Sequence, residues 1–238
     1  MFPAGRNRRI SSFVCVLTGA LWRSSLPAEV LKELSMSSET ETEVNLVFPT
    51  PVQVSELGDA EALNATLIKE IEDVREVTPN GLPNSWSCDV YTTISNNCRL
   101  HERPGFSTLV EHINAESQKF ANLLAIDQEP DPLRLADCWV NIYGRGHSQE
   151  IHAHANNILS GVYYVTAPEG SSPIMFHSPD CDLMLAPKFS ELNDYNNAAV
   201  GFEPQAGTML MFRSHLKHSV KTSQIDDERI SIAFNLRA

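Results

Sequence analysis

Cys138-Trp139-Val140-Asn141-Ile142-Tyr143-Gly144-Arg145-Gly146-His147-Ser148-Gln149-Glu150-Ile151-His152-Ala153-His154 decides the reading of this chain, and two later pieces, His218 and Arg229-Ile230-Ser231, complete it. In an extended segment successive side chains alternate, so the imidazoles of His152 and His154 point to one face of a sheet. Such a pair suits neighbouring coordination positions on one metal ion, and His218 brings a third imidazole from a separate strand. Arg229 and Ser231 are again two apart, which puts guanidinium and hydroxyl on one face while Ile230, Ile232 and Phe234 take the other. A guanidinium on the concave side of a strand whose other side is apolar requires an anionic partner, and a small dicarboxylate supplies one.

Alone, His-x-His is a weak signal. Eight histidines give many chances for an accidental pair, and a solvated pair in a loop is the ordinary alternative. The company it keeps strengthens it: Asn141, Tyr143 and Gly146 lie just upstream, and the His218 and Arg229-x-Ser231 pieces fall where a barrel would return them. The other histidines carry less. His215 is three before His218, so in a strand it faces the other way; His147 sits in a glycine-rich turn and His177 ends a strand, and for both a structural role outweighs a functional one. Tyr163 and Tyr164 must face opposite ways, so only one can reach a cavity.

Outward from this stretch the texture is that of strands. Residues 138–143, 158–166, 174–177, 208–212, 216–220 and 229–236 are short runs rich in Val, Ile, Tyr, Phe and Met, separated by Gly, Pro, Asn and Asp. Two amphipathic helices precede them. Leu63, Leu67, Ile71 and Val74 form one stripe, and Phe106, Leu109, Val110, Ile113, Phe120 and Leu124 form the other. Helices first and strands after predict an α+β protein that is mainly β. The natural closure is a jelly roll, a cupin-like double-stranded β-helix, with the helices packed on one outer face. Residues 79–103, with one strand near 90–94, are expected to form a loop over the site entrance, and residues 180–203 read as an insertion between barrel strands.

A chain of 238 residues suits one sizeable domain. We expect residues 45–238 to form it, with a β-core from about 135 to 238, after an extension and linker over residues 1–44. Leu46-Val47-Phe48 and 52–54 read as a first, edge strand interrupted by Pro49 and Pro51. Arg6, Arg8 and Arg9 ahead of the apolar run 13–22 resemble a secretory signal or transit peptide. The preferred reading is instead a disordered or spurious extension with a start near Met36, because no small-residue cleavage site is clear. The run is too short to span a bilayer, so no transmembrane segment is expected. The net charge of -12 argues against nucleic acid as partner. Five cysteines, Cys15, Cys88, Cys98, Cys138 and Cys181, are odd in number and without a C-x-x-C pair, which reads as reduced thiols and a cytoplasmic protein.

With these residues in place, the sequence resembles the iron(II)/2-oxoglutarate-dependent oxygenases. Asn141-x-Tyr143-x-x-Gly146 followed by His152-x-His154 is similar to the pattern of the alkylation-repair demethylases, and Arg229-x-Ser231 to the cosubstrate clamp of plant and fungal members. The likeness is greatest to a group of uncharacterised microbial and phage oxygenases, on His152-Ala153-His154-Ala155 and Ser160-Gly161-Val162-Tyr163-Tyr164-Val165, although that group has proline where Ala155 stands. It extends over roughly residues 135–236. The resemblance implies iron(II), 2-oxoglutarate and O2, with ascorbate as an accessory reductant. It implies His152, His154 and His218 as metal ligands, Arg229 and Ser231 as the cosubstrate clamp, Asn141 and Tyr143 as further cosubstrate contacts, and no catalytic residue beyond the metal centre. The activity implied is hydroxylation of a small molecule or of a peptide or protein side chain.

One departure stands out. The wider superfamily has Asp or Glu where this chain has His154, so either three imidazoles bind the iron or His154 stands back and another group fills its position. The inward direction of the residue two along favours binding by all three. A three-histidine, cupin-type dioxygenase that does not use 2-oxoglutarate is the second enzyme reading, and a non-catalytic metal-binding or interaction module is the third.

Overall fold

The computed structural model describes residues 42–44, 46–179, 185 and 187–238. The expectations about residues 1–41, including Cys15 and the start near Met36, and about Cys181, fall outside the described residues. The chain divides into two units, Met1–Phe48 and Pro49–Ala238, and every helix and strand below belongs to the second. No helix among the described residues is long and apolar enough to cross a membrane.

Both helices form where the apolar spacing puts them. Helix α1 (Ala60–Val77) buries Leu63, Leu67, Ile71 and Val74, and α2 (Ser107–Leu123) buries Leu109, Ile113 and Phe120. Phe106, assigned by its spacing to the second helix, closes a short 3-10 turn just before it. The first strand differs from expectation. Leu46, Val47 and Phe48 are exposed and outside any strand, and β1 begins at Val52 (Val52–Glu56), after both prolines, which have no N–H to give to a ladder.

Nine further strands follow: β2 (Tyr91–Thr92), β3 (Arg134–Tyr143), β4 (Gln149–His152), β5 (Leu159–Thr166), β6 (Ile174–His177), β7 (Ala199–Phe202), β8 (Thr208–Arg213), β9 (His218–Val220) and β10 (Arg229–Arg237). They make a six-stranded sheet in the order β1-β8-β5-β10-β3-β2 and a four-stranded sheet in the order β4-β9-β6-β7, and the strand pairs are antiparallel. This is the double sheet of a jelly roll. Strand β7 lies within what reads from sequence as an insertion; it is four residues long and half exposed, so it lacks the apolar density by which buried strands announce themselves. Strand β9 starts at His218 and not at Leu216, because Leu216 closes a turn by donating to the Arg213 carbonyl.

The larger sheet carries a different chemistry on each face. Outward, Cys138, Val140 and Ile142 of β3, Ile232 and Phe234 of β10, Tyr163 and Val165 of β5, and Met209 and Met211 of β8 share one apolar cluster with the buried stripes of α1 and α2. The helices thus cover that face. Gly161 is required there, since a Cβ on it would meet the Phe234 ring at 2.3 Å. Inward, Tyr164, Ile174, Phe176, Leu210, Phe212 and Leu216 form a second, smaller cluster between the sheets. The tyrosine pair divides accordingly: Tyr163 faces the helices, where its hydroxyl donates to Asn64 Oδ1 of α1 (2.7 Å), and Tyr164 faces the interior.

Candidate metal centre

Strand β4 pairs with β9 so that His152 lies directly opposite His218. Their ring centroids are 4.2 Å apart. His154 sits two residues beyond the end of β4, yet the alternation persists: Ile151 and Ala153 are exposed while His152 and His154 are half-buried. Its ring lies 5.3 Å from that of His152 and 5.0 Å from that of His218. One nitrogen from each imidazole falls within 4.8 Å of the other two, close enough for small rotations to seat all three on one ion.

The hydrogen bonds select which nitrogen is offered. His152 Nδ1 lies 2.7 Å from the Glu150 carbonyl and His218 Nδ1 lies 2.9 Å from the Leu216 carbonyl. A carbonyl oxygen only accepts, so both Nδ1 atoms carry the proton and both Nε2 atoms are bare. His154 Nδ1 is 2.6 Å from Asn235 Oδ1 and 3.0 Å from Ser160 Oγ. Burial pushes His154 down to about 4 and, with His152 nearby, His218 down to about 3; burial lowers His152 as well. Neutral imidazoles held through Nδ1 are the form a divalent metal takes.

Arg229 lies in the same interior and is 3% exposed. Its guanidinium stacks 4.1 Å from the Tyr143 ring centroid and 5.7 Å from that of Tyr164, and Nη1 donates to the Ser172 carbonyl (2.7 Å). Nε has no partner, and among the described residues no carboxylate pairs with this cation. A buried charge without a counter-ion is costly, which makes this point of the interior a seat for an anion. Burial pushes the phenols of Tyr143 and Tyr164 up to about 12, so both stay neutral. Ser231 is buried beside Arg229 on the same strand face.

Asn141, expected as a cosubstrate contact, is also engaged within the protein. Its amide, in the orientation that satisfies its neighbours, accepts from Trp139 Nε1 (3.2 Å) and donates to Thr92 Oγ1 (2.7 Å). A cavity of about 370 Å³ joins these groups: all three histidines, Arg229, Ser231, Asn141 and Tyr143 line it. Its size falls in the range of small-molecule sites. Trp86 and Ile94, from the 79–103 segment, line it as well.

The remaining histidines stay out. His147 Nδ1 accepts from the Gly144 N–H within its turn, and His177 Nε2 meets Ser219 Oγ at 2.9 Å. His215 is not in a strand; it sits exposed in the turn between β8 and β9. Sequence reasoning left open which of Tyr163 and Tyr164 reaches the cavity, which is Tyr164, and missed Trp139, Gln149 and Asn235. Counting back by two from Asn141 reaches Trp139, and counting on in twos from Ser231 passes Ala233 and reaches Asn235, so strand alternation was sufficient for both. Gln149, whose buried Oε1 has no partner, carries no such signal.

Residues 137–235 match the model of a protein family described as "Putative 2OG-Fe(II) oxygenase". No curated protein sequence matches the chain. Among solved structures, a prolyl-4-hydroxylase from Pseudomonas putida is similar with a TM-score of 0.56 at 15% identity, over 89% of this chain and 98% of that one. SnoN, a non-heme alpha ketoglutarate dependent epimerase from nogalamycin biosynthesis, is similar with a TM-score of 0.57 at 14% identity, over 79% of this chain and 76% of that one. HygX from Streptomyces hygroscopicus, solved with nickel and 2-oxoglutarate bound, gives 0.52 at 13% identity, over 89% and 87%. At such identities these likenesses show the fold. The stretch that matches this 2OG-Fe(II) oxygenase family model, residues 137–235, supplies all three histidines and Arg229.

Proposed function

We propose that the chain is an iron(II)- and 2-oxoglutarate-dependent dioxygenase whose metal is held by His152, His154 and His218 and whose cosubstrate is held by Arg229. The observation that carries it is the pairing, in one cavity, of three imidazoles presenting bare nitrogens with a buried guanidinium lacking a counter-ion. Iron(II), once bound, supplies the chemistry by which 2-oxoglutarate and O2 oxidise a C–H bond, with succinate and carbon dioxide as co-products. The protein's own residues orient and shield. Arg229 and Ser231 would hold the distal carboxylate, the neutral Tyr143 and Tyr164 rings flank the guanidinium, and the Asn141 amide braces Trp139 beside His154. The apolar residues Val162, Ile174, Phe212 and Val220 of the lining exclude water from the reacting centre.

Residues 45–238 act as one domain, and the substrate is a small molecule, or a peptide or protein side chain, held in the cavity that Trp86 and Ile94 help to line. The free thiols of Cys88, Cys98 and Cys138 accord with a reducing, cytoplasmic setting; Cys138 is packed in the core, with burial pushing its thiol up to about 12, whereas Cys88 donates to the Ser148 carbonyl. The three-histidine set also suits a cupin-type dioxygenase without 2-oxoglutarate, but such an enzyme gives Arg229 no anion to hold. Incubation with iron(II), 2-oxoglutarate and O2 should release succinate, including slow uncoupled turnover without prime substrate. Absence of succinate from protein that binds iron would redirect the reading to the cupin-type reaction.

A further inference from the structure

His154 differs from the other two histidines in how its Nδ1 is held. His152 and His218 lean on backbone carbonyls two residues upstream, those of Glu150 and Leu216. His154 has no such carbonyl and depends on side chains. Asn235 Oδ1 is 2.6 Å from its Nδ1, and Ser160 Oγ is 3.0 Å away.

An amide can present either its oxygen or its NH2, so something must orient Asn235. Asp137 does. In the ladder Asn235 pairs with Asp137 of β3 on one side and Ser160 of β5 on the other, which sets the three side chains on one rung of the inward face. Asp137 Oδ2 accepts from Asn235 Nδ2 (3.3 Å) and is itself held by Arg237 Nη2 (2.7 Å). A carboxylate cannot donate, so the NH2 end must face Asp137 and the oxygen must face the imidazole. Ser160 Oγ also lies 2.8 Å from Asn235 Oδ1 and 2.8 Å from Ser214 Oγ, closing the network.

We propose that Asn235, oriented by Asp137, is the positioning residue that fixes His154 as the Nδ1–H tautomer and thereby commits its Nε2 to the metal. This rests on the metal reading above. It also gives His154, which lies beyond the end of β4, a fixed hydrogen-bond partner of the kind that His152 and His218 have in backbone carbonyls. An outer partner of this kind contributes about 10- to 100-fold to metal affinity.

Long-range ¹H–¹⁵N spectra of the full chain without metal test the proposal directly. The expected signature is a protonated Nδ1 and a bare Nε2 on His154; a protonated Nε2 overturns it, with no substitution needed. In Asn235→Leu the fixed tautomer should give way to a mixture, and iron(II) affinity should fall 10- to 100-fold. Asn235→Asp keeps an acceptor and should retain the Nδ1–H signature. An unchanged tautomer and unchanged iron affinity in Asn235→Leu would also overturn the proposal. Should the unsubstituted chain bind no iron, the metal reading fails, whereas the tautomer is read without metal, so the two failures are separable.

Discussion

The two faces of β10 make a comparison within a single strand. Outward-facing Ile232, Phe234 and Leu236 are buried in the apolar cluster that the helices cover, while inward-facing Arg229, Ser231 and Asn235 are equally buried and all polar. The outward face is satisfied by the protein's own packing. The inward face is satisfied only in part, with Arg229 Nε unpartnered and no described carboxylate opposite it. Stability and function are therefore interleaved residue by residue, and a slip of one position would exchange them completely.

The sharpest break of this comparison is His218→Ala, which should abolish stoichiometric iron binding, read by anaerobic equilibrium dialysis, while leaving the sheets folded. Next in size is Phe234→Ala on the outward face. It should destabilise the protein by about 3–5 kcal/mol in urea unfolding, because it empties a site shared by the Gly161 gap and the helix stripes. Arg229→Ala on the inward face should show the opposite profile. Unfolding should change much less, because a buried charge and its desolvation are removed together, while 2-oxoglutarate affinity should fall about 10- to 100-fold, corresponding to a lost charge-assisted contact of about 1.5–3 kcal/mol. Calorimetric titration of the cosubstrate into iron-loaded protein under anaerobic conditions separates the two effects. If instead Arg229→Ala binds 2-oxoglutarate as the parent does, Lys217, Lys221 and Arg237 become the cations to test. The smallest change is Tyr163→Phe, which deletes the hydroxyl bonded to Asn64 and should cost about 1–2 kcal/mol in unfolding with no effect on iron or cosubstrate.

How much of this was legible beforehand follows from the same alternation. Periodicity alone placed both helix stripes, most strands, and the two-apart pairs His152/His154 and Arg229/Ser231 on their faces, because those patterns are local. What it could not supply is register. That His152 lies opposite His218, and that Asp137, Asn235 and Ser160 share a rung, depends on which residues meet across strands distant in sequence. Strand β7 escaped for a different reason: at the exposed edge of the smaller sheet, Ala199–Phe202 needs little apolar surface. The division of Tyr163 from Tyr164 was foreseen as an opposition, but only the packing of Tyr163 against Asn64 says which of them faces outward.

The central claim, that three imidazoles and Arg229 form one iron and 2-oxoglutarate site, is tested most directly by anaerobic optical titration of the full chain. Addition of 2-oxoglutarate to the iron(II)-loaded protein should produce a weak visible metal-to-ligand charge-transfer band that saturates at one cosubstrate per iron. The same titration of His218→Ala should give none, and Arg229→Ala should require about 10- to 100-fold more 2-oxoglutarate to reach it. Stoichiometric iron with no band at saturating 2-oxoglutarate would contradict the account.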